Sequence, residues 1–127
     1  MAEKDLSEVF AGPRSILTPY APKMEVIADA GTEYSLQTRW RRPKDGYPGY
    51  VGGVKVGKRD VSYHLMPVYA FPDLLDQVSP ELRKRMQGKS CFNTTKVDDA
   101  LFAELADLTR RGYDAFAANG LLENSHG

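Results

Sequence analysis

The chain has 127 residues, of which 42% are hydrophobic and 27% are charged, with 17 basic and 17 acidic side chains. This composition is typical of a soluble globular protein of one domain, and the formal net charge of zero disfavours a dedicated nucleic-acid-binding role, which usually needs a basic excess. The single cysteine excludes an internal disulfide, and together with two histidines it cannot form a soft-ligand zinc cage.

The first half of the chain predicts one helix followed by strands. Residues Leu6 to Tyr20 have the apolar spacing of a helix, and Pro13 either kinks this helix or marks the place where it restarts. Two strand-like runs follow, Met24 to Ala30 and Tyr34 to Arg41, with a turn between them. A loop rich in proline and glycine, Arg42 to Tyr50, comes next.

The clearest hairpin in the sequence follows this loop. Its strands are Val51 to Val56 and Val61 to Met66, and Gly57 to Asp60 joins them. Pro67 is expected to end the second strand, because proline cannot donate a hydrogen bond to the sheet.

Helices are predicted for the segment after the hairpin. Pro72 to Val78 is a short helix. A second helix is predicted from a Ser79 cap, with Pro80 in the first position, to about Gln87. Gly88 is expected to close it as a C-cap glycine.

The end of the chain predicts a short strand and a long helix. The strand is Ser90 to Thr94, and a capping box at Thr95 to Asp98 precedes a helix that runs to about Ala118. The apolar stripe of this helix consists of Val97, Leu101, Leu105, Leu108 and Phe116.

This order of elements predicts the α+β class and a single domain over residues 1–127. We expect an N-terminal helix, an antiparallel sheet of about four to five strands, and C-terminal helices packed on one face of the sheet.

A Gly88-Lys89-Ser90 triplet matches the end of a phosphate-binding loop. Such a loop needs a glycine where this chain has Arg83, and it should follow a strand rather than a helix. We therefore interpret Gly88 as a helix cap, with Lys89 near the negative end of the helix dipole.

Cys91 allows two interpretations. Lys89 and Lys96 lie close in sequence and would favour the thiolate form of a reactive cysteine. Phe92 beside it instead indicates a strand that enters the core, where cysteine is usually structural. A Cys-His nucleophile would require His64 to approach Cys91, which the sequence leaves open.

The hairpin predicts a binding recess on one face of the sheet. The two-residue period of a strand places His64 with Ser62 and Met66 on one face, and Gly52-Gly53 removes side chains over part of the neighbouring strand. The alternative is that helices cover this face and that His64 is a hydrogen-bonded core residue. Aromatic residues close enough in sequence to line the recess are Trp40, Tyr47, Tyr50 and Tyr69. The residues expected to bind the ligand are Lys55, Tyr63, His64, Met66, Tyr69, Lys89, Ser90, Cys91 and Asn93.

The hairpin sequence V-K-V-G-K-R-D-V-S-Y-H-L and the Gly-Lys before a short strand resemble the YdhG-like bacterial domains of unknown function. The matching positions are Lys58 to Leu65 and Gly88 to Phe92, and the order of elements agrees over most of the chain. The resemblance implies an α+β fold likened to frataxin and, for some members, an iron-chaperone role. Frataxin-type iron binding uses an acidic ridge on the first helix and strand. The acidic residues of that region here are scattered: Glu3, Asp5, Glu8, Glu25, Asp29 and Glu33.

These observations favour a non-catalytic binding module for a small molecule or a protein partner. The first alternative is a frataxin-like iron-handling protein, and the second is a thiol-dependent enzyme that uses Cys91 and His64. We assign no catalytic residue, metal site or cofactor, and we expect a monomer or homodimer that does not bind nucleic acid. The charged N-terminus and the absence of an apolar run of roughly 20 residues predict a cytoplasmic protein with no membrane partner.

Overall fold

One antiparallel sheet with helices against one of its faces makes up the structure. The computed structural model describes residues 6–46, 48–88 and 91–122. Within these ranges the sheet has six strands in the order β1-β2-β3-β4-β6-β5. The strands are β1 (Glu25–Ala30), β2 (Glu33–Arg41), β3 (Pro48–Val56), β4 (Val61–Leu65), β5 (Met86–Gln87) and β6 (Cys91–Thr94). The α-helices are α1 (Leu6–Leu17), α2 (Met66–Ala70), α3 (Pro80–Arg83) and α4 (Asp99–Ala118), with 3₁₀-helices at Thr18–Lys23 and Pro72–Gln77.

Helix α1 continues through Pro13, which is fully buried inside it. Val9, Phe10 and Leu17 belong to the core and give this helix its buried face. The predicted extension to Tyr20 is a 3₁₀-helix with prolines at Pro19 and Pro22. One proline is accommodated inside α1, whereas the two prolines within Thr18–Lys23 remove two N–H donors from a short segment, in which the α-helical hydrogen-bond pattern is not continued.

The predicted hairpin is confirmed as β3 and β4. Val61, Tyr63 and Leu65 are buried, and Ser62 and His64 between them are partly exposed. This alternation gives the sheet one core face and one opposite face. We call the face that carries His64 the outer face.

The predicted helix from Pro80 to about Gln87 is too long. Ser79 caps α3 as expected, since its hydroxyl accepts a hydrogen bond from the Leu82 N–H, but α3 ends at Arg83. Met86–Gln87 pairs with β6 instead, and Asn93 N–H donates to the Arg85 carbonyl at 2.7 Å. Gly88 has a φ of 76° and directly follows this strand. Its left-handed conformation therefore lies at the end of a strand at the sheet edge, and the predicted helix C-cap is wrong.

Helix α4 covers the core face. Asp98 caps it through a hydrogen bond from the Leu101 N–H at 3.2 Å, and Leu101, Leu105, Leu108 and Phe116 are buried as predicted. Val97, which precedes the helix, is 48% exposed and lies outside that stripe.

Helices α1 and α4 contact each other, and both belong to the core face: α1 contacts β3 and β4, and α4 reaches Tyr63 on β4 through Thr109. The predicted α+β class, with helices packed on one face of an antiparallel sheet, is confirmed. In the part of the chain that the structure describes, no helix has the length and apolar character needed to cross a membrane.

Candidate functional site

A row of side chains crosses the outer face of the sheet. Strand pairing places Ser35 of β2 beside Gly53 of β3, Gly53 beside His64 of β4, and His64 beside Cys91 of β6. The hydroxyl of Tyr50 lies close to the position where Gly53 has no side chain. We call Ser35, Tyr50, His64 and Cys91 the outer-face row.

Gly53 is required for this arrangement. A Cβ atom at Gly53 would lie 2.7 Å from the Tyr50 hydroxyl oxygen and would also clash with the Ser35 hydroxyl. The hollow that the sequence predicts over the glycines is therefore occupied by the protein's own Tyr50. Burial raises the pKa of Tyr50, against the lowering effect of a hydrogen bond from Ser35.

Tyr50 also fixes the orientation of His64. The two rings are 5.3 Å apart between centroids with an interplanar angle of 62°, an edge-to-face contact of the kind that aromatic rings prefer. The pleat of β4 directs His64 to this face, and Tyr50 limits the rotation of its ring.

His64 and Cys91 are in direct contact within the row. Nδ1 of His64 lies 3.1 Å from Sγ of Cys91, and both side chains are partly exposed. Burial lowers the pKa of His64, which favours the neutral imidazole. A neutral imidazole can accept the proton of a thiol, which is the arrangement found in activated cysteine nucleophiles.

Two further predicted residues lie on the outer face beside the row. Lys55 of β3 and Asn93 of β6 flank Ser62 of β4 in the strand register, and Lys55 is exposed. Asn93 donates from Nδ2 to Asp60 Oδ2 at 3.3 Å. Its Oδ1 is buried and has no hydrogen-bond partner within the described ranges.

Tyr63 does not belong to this face. It is 1% exposed, and its hydroxyl lies 2.6 Å from that of Thr109 on α4. Because successive side chains of a strand point to opposite faces, a residue adjacent to His64 must point into the core. We therefore leave Tyr63 out of the candidate site. Lys89, Ser90 and Tyr47 lie outside the described residues.

Tyr69 lies on α2, which follows β4 directly. It is 55% exposed on α2. It lines an open pocket of about 480 Å³, whose walls are Val68, Tyr69, Pro72, Leu75, Arg83, Met86 and Gly88.

Met66 lines a second open pocket, of about 350 Å³, which also touches the outer-face row through Tyr50. We call it the Tyr50 pocket. The nearness of Trp40 and Tyr50 to the hairpin in the sequence predicts that they line a recess. Phe116 and Leu121 come from the far end of the chain, and no local sequence pattern predicts their place in this pocket. The lining residues are Trp40, Arg42, Gly49, Tyr50, Met66, Ala70, Phe116 and Leu121.

Both acidic residues of β1 pair with nearby side chains. Asp29 pairs with Arg14 at 3.2 Å. Glu25 accepts hydrogen bonds from Gln37 and Arg41, which hold the pKa of its carboxyl below the usual range. Among the residues that the structure describes, no group of three or more His, Cys, Asp or Glu side chains is placed to hold a metal ion.

Comparison of the chain with protein families, with curated proteins and with solved structures finds no match. The outer face and the Tyr50 pocket are therefore the features of the molecule that indicate its function.

Proposed function

We propose that this chain is a binding protein for a small molecule with an aromatic or apolar part, held in the Tyr50 pocket. The observation that carries the proposal is the lining of that pocket, where Trp40, Tyr50 and Phe116 surround an open space of about 350 Å³. Pockets for small ligands are typically of roughly 300–1,000 Å³ and are lined mainly by apolar and aromatic side chains. Flat aromatic compounds fit this chemistry, because they stack on or edge against such rings.

The charge of the pocket favours a neutral ligand. Arg42 supplies the cationic side chain of the lining, and its guanidinium faces Asp45 with Nε–Oδ1 at 2.8 Å and Nη2–Oδ2 at 2.6 Å. These two hydrogen bonds pair the positive charge of Arg42 with the negative charge of Asp45. An anionic ligand would have to compete with Asp45, whereas a neutral one would not.

Thermal unfolding against a panel of compounds tests the proposal. The panel consists of neutral aromatic heterocycles, aromatic acids as their charged counterparts, and ferrous and ferric iron for the role that the family resemblance implies. A ligand that binds only the folded state adds about 2.7 kcal/mol of stability at a hundred times its dissociation constant. We expect the neutral aromatic compounds to raise the midpoint most.

Substitution of a pocket residue then locates the binding. Ala70 lines the pocket from α2 and is itself exposed, so Ala70→Leu should fill the space with little effect on the core. Ala103→Leu on the exposed side of α4 is the matched control. We expect Ala70→Leu to remove the thermal shift and Ala103→Leu to keep it. An unchanged shift in Ala70→Leu would place the ligand elsewhere and refute the proposal.

Iron handling and binding of a protein partner predict different outcomes in the same experiment. A shift with iron alone would favour the iron-handling alternative. No shift with any compound would leave a protein partner as the remaining form of the binding-module hypothesis, to be sought by pull-down from cell extract.

A further inference from the structure

The outer-face row contains a nucleophilic group that the binding proposal does not use. We propose that Cys91 is a reactive thiol that exchanges with small disulfides, and that His64 accepts the thiol proton. The inference depends on the position of the two side chains on paired strands, and it is independent of whether the Tyr50 pocket binds a ligand.

The sheet fixes the distance between the two groups. His64 and Cys91 are direct partners in the antiparallel pairing of β4 with β6. The next residues along these strands, Tyr63 and Phe92, are 1% and 2% exposed and anchor both strands in the core. Nδ1 of His64 and Sγ of Cys91 are thereby held 3.1 Å apart on rigid backbone. A pair placed on strands keeps its geometry better than one placed on loops.

The protonation states suit a base and a thiol. Burial lowers the pKa of His64, so its imidazole is neutral near pH 7, the form in which a ring nitrogen can accept a proton. The thiolate, not the thiol, is the nucleophile, and a neighbouring base raises the rate at which it forms. Cys91 is partly exposed on the outer face, as reactive cysteines are.

The proposed step balances as a thiol–disulfide exchange. The Cys91 S–H gives its proton to Nδ1 of His64, and the sulfur attacks one sulfur of a disulfide R–S–S–R. The new Cys91–S–S–R bond forms as the original S–S bond breaks. The leaving thiolate takes the proton from His64 and departs as R–SH. Cys91 is oxidised to the mixed disulfide, and half of the small disulfide is reduced to a thiol.

The sequence contains one cysteine, so no second thiol of the chain can displace R from the mixed disulfide. The modified state should persist until an external thiol reverses it. The expected activity is thus a reversible capping of Cys91 and not the formation of an internal disulfide.

The test is the rate of reaction of the folded protein with dithiodipyridine, a neutral disulfide whose leaving thiol is coloured. The reference is the reaction rate of the same chain in denaturant, corrected for the effect of the solvent with a model thiol. We expect the folded protein to react faster than this corrected rate. We expect His64→Gln to lower the rate by at least about tenfold, because a cysteine thiol without a neighbouring base is only a few per cent thiolate near pH 7. Ser62→Ala, on the same strand and face, is the matched control and should react as the parent does.

Mass spectrometry should show one added R–S group, which is absent from Cys91→Ser. Circular dichroism identifies any variant that fails to fold, and His64→Asn provides a second substitution if His64→Gln does not fold. A folded protein that reacts no faster than the corrected denatured chain would overturn the proposal. Equal rates for the parent and both folded His64 variants would also overturn it, because His64 would then have no part in the reaction.

Discussion

The hydroxyl oxygen of Tyr63 lies 2.6 Å from the hydroxyl oxygen of Thr109, and both side chains are buried between the sheet and α4. Thr109 donates its own hydroxyl proton to the Leu105 carbonyl at 2.7 Å, so Tyr63 is the donor in the contact with Thr109. Burial raises the pKa of Tyr63, which keeps the phenol protonated. This chain of hydrogen bonds ties the centre of β4 to the middle of α4.

The two ends of this contact should respond differently to substitution. Tyr63→Phe removes the donor and should lower the free energy of unfolding by about 0.5–1.5 kcal/mol, the usual net value of a hydrogen bond. Thr109→Val leaves the Tyr63 hydroxyl buried without a partner and should cost more, about 1–3 kcal/mol. Urea denaturation of each variant measures the difference.

The double variant Tyr63→Phe/Thr109→Val supplies the internal control. It removes both polar groups, so we expect it to lose less stability than the sum of the two single changes. Strict additivity of the two losses would show that the hydroxyls do not interact in the folded protein.

The two-residue period of β4 is a local property, and the sequence alone predicts it. It correctly separates His64 from Val61 and Leu65, and the same rule excludes Tyr63 from the recess. The stripe of α4 is equally local, and its four predicted residues from Leu101 onwards are buried. The buried face is wider than the predicted stripe, since it also includes Phe102, Thr109 and Gly112. Patterns of this kind record which side of an element meets the core, so they can be found without knowing what it packs against.

The composition of the candidate site depends on contacts that no local pattern contains. Cys91 meets His64 across 27 residues, because β6 returns to pair with β4 after the helical segment. The register of β2 with β3 shifts between Tyr50 and Gly52, and Tyr50 contacts Gly53 of its own strand across this shift. The end of α3 at Arg83 has the same origin, since the sheet edge binds Met86–Gln87 and overrides their helical preference.

The adjacent glycines of β3 should differ sharply in their tolerance of alanine. A Cβ at Gly52 would lie 2.5 Å from the backbone carbonyl oxygen of His64, so β3 and β4 would have to separate. A Cβ at Gly53 would clash with the hydroxyls of Ser35 and Tyr50, which can move, and would lie 3.0 Å from the backbone carbonyl oxygen of Tyr34, a longer distance than the backbone contact at Gly52. We expect Gly52→Ala to cost about 1–3 kcal/mol, as overpacking of an interior does, and Gly53→Ala to cost less.

Thermal or urea denaturation of the two variants tests this order. Gly53→Ala should in addition displace Tyr50 from its contact with His64, which the chemical shifts of the His64 ring protons would report. A Gly53→Ala variant that is as unstable as Gly52→Ala would contradict the view that Tyr50 and Ser35 can yield.

Protonation of His64 should destabilise the folded protein. Burial lowers its pKa below the ordinary value of 6.5, so at pH values under 6.5 the unfolded chain binds the proton more readily than the folded chain. The free energy of unfolding should therefore fall as the pH decreases from 6.5 towards the folded-state pKa, and it should be independent of His64 above 6.5. Cys91 and the ring of Tyr50 are two of the groups that His64 contacts in the folded state, and neither carries a carboxylate. Urea denaturation of the parent and of His64→Gln at a series of pH values isolates this contribution, because all other titrating groups are common to both proteins.

We expect the stability of the parent relative to His64→Gln to decrease below pH 6.5. A relative stability that instead rises on acidification would mean that the folded protein binds the proton more tightly, and the neutral imidazole assigned to His64 would be wrong.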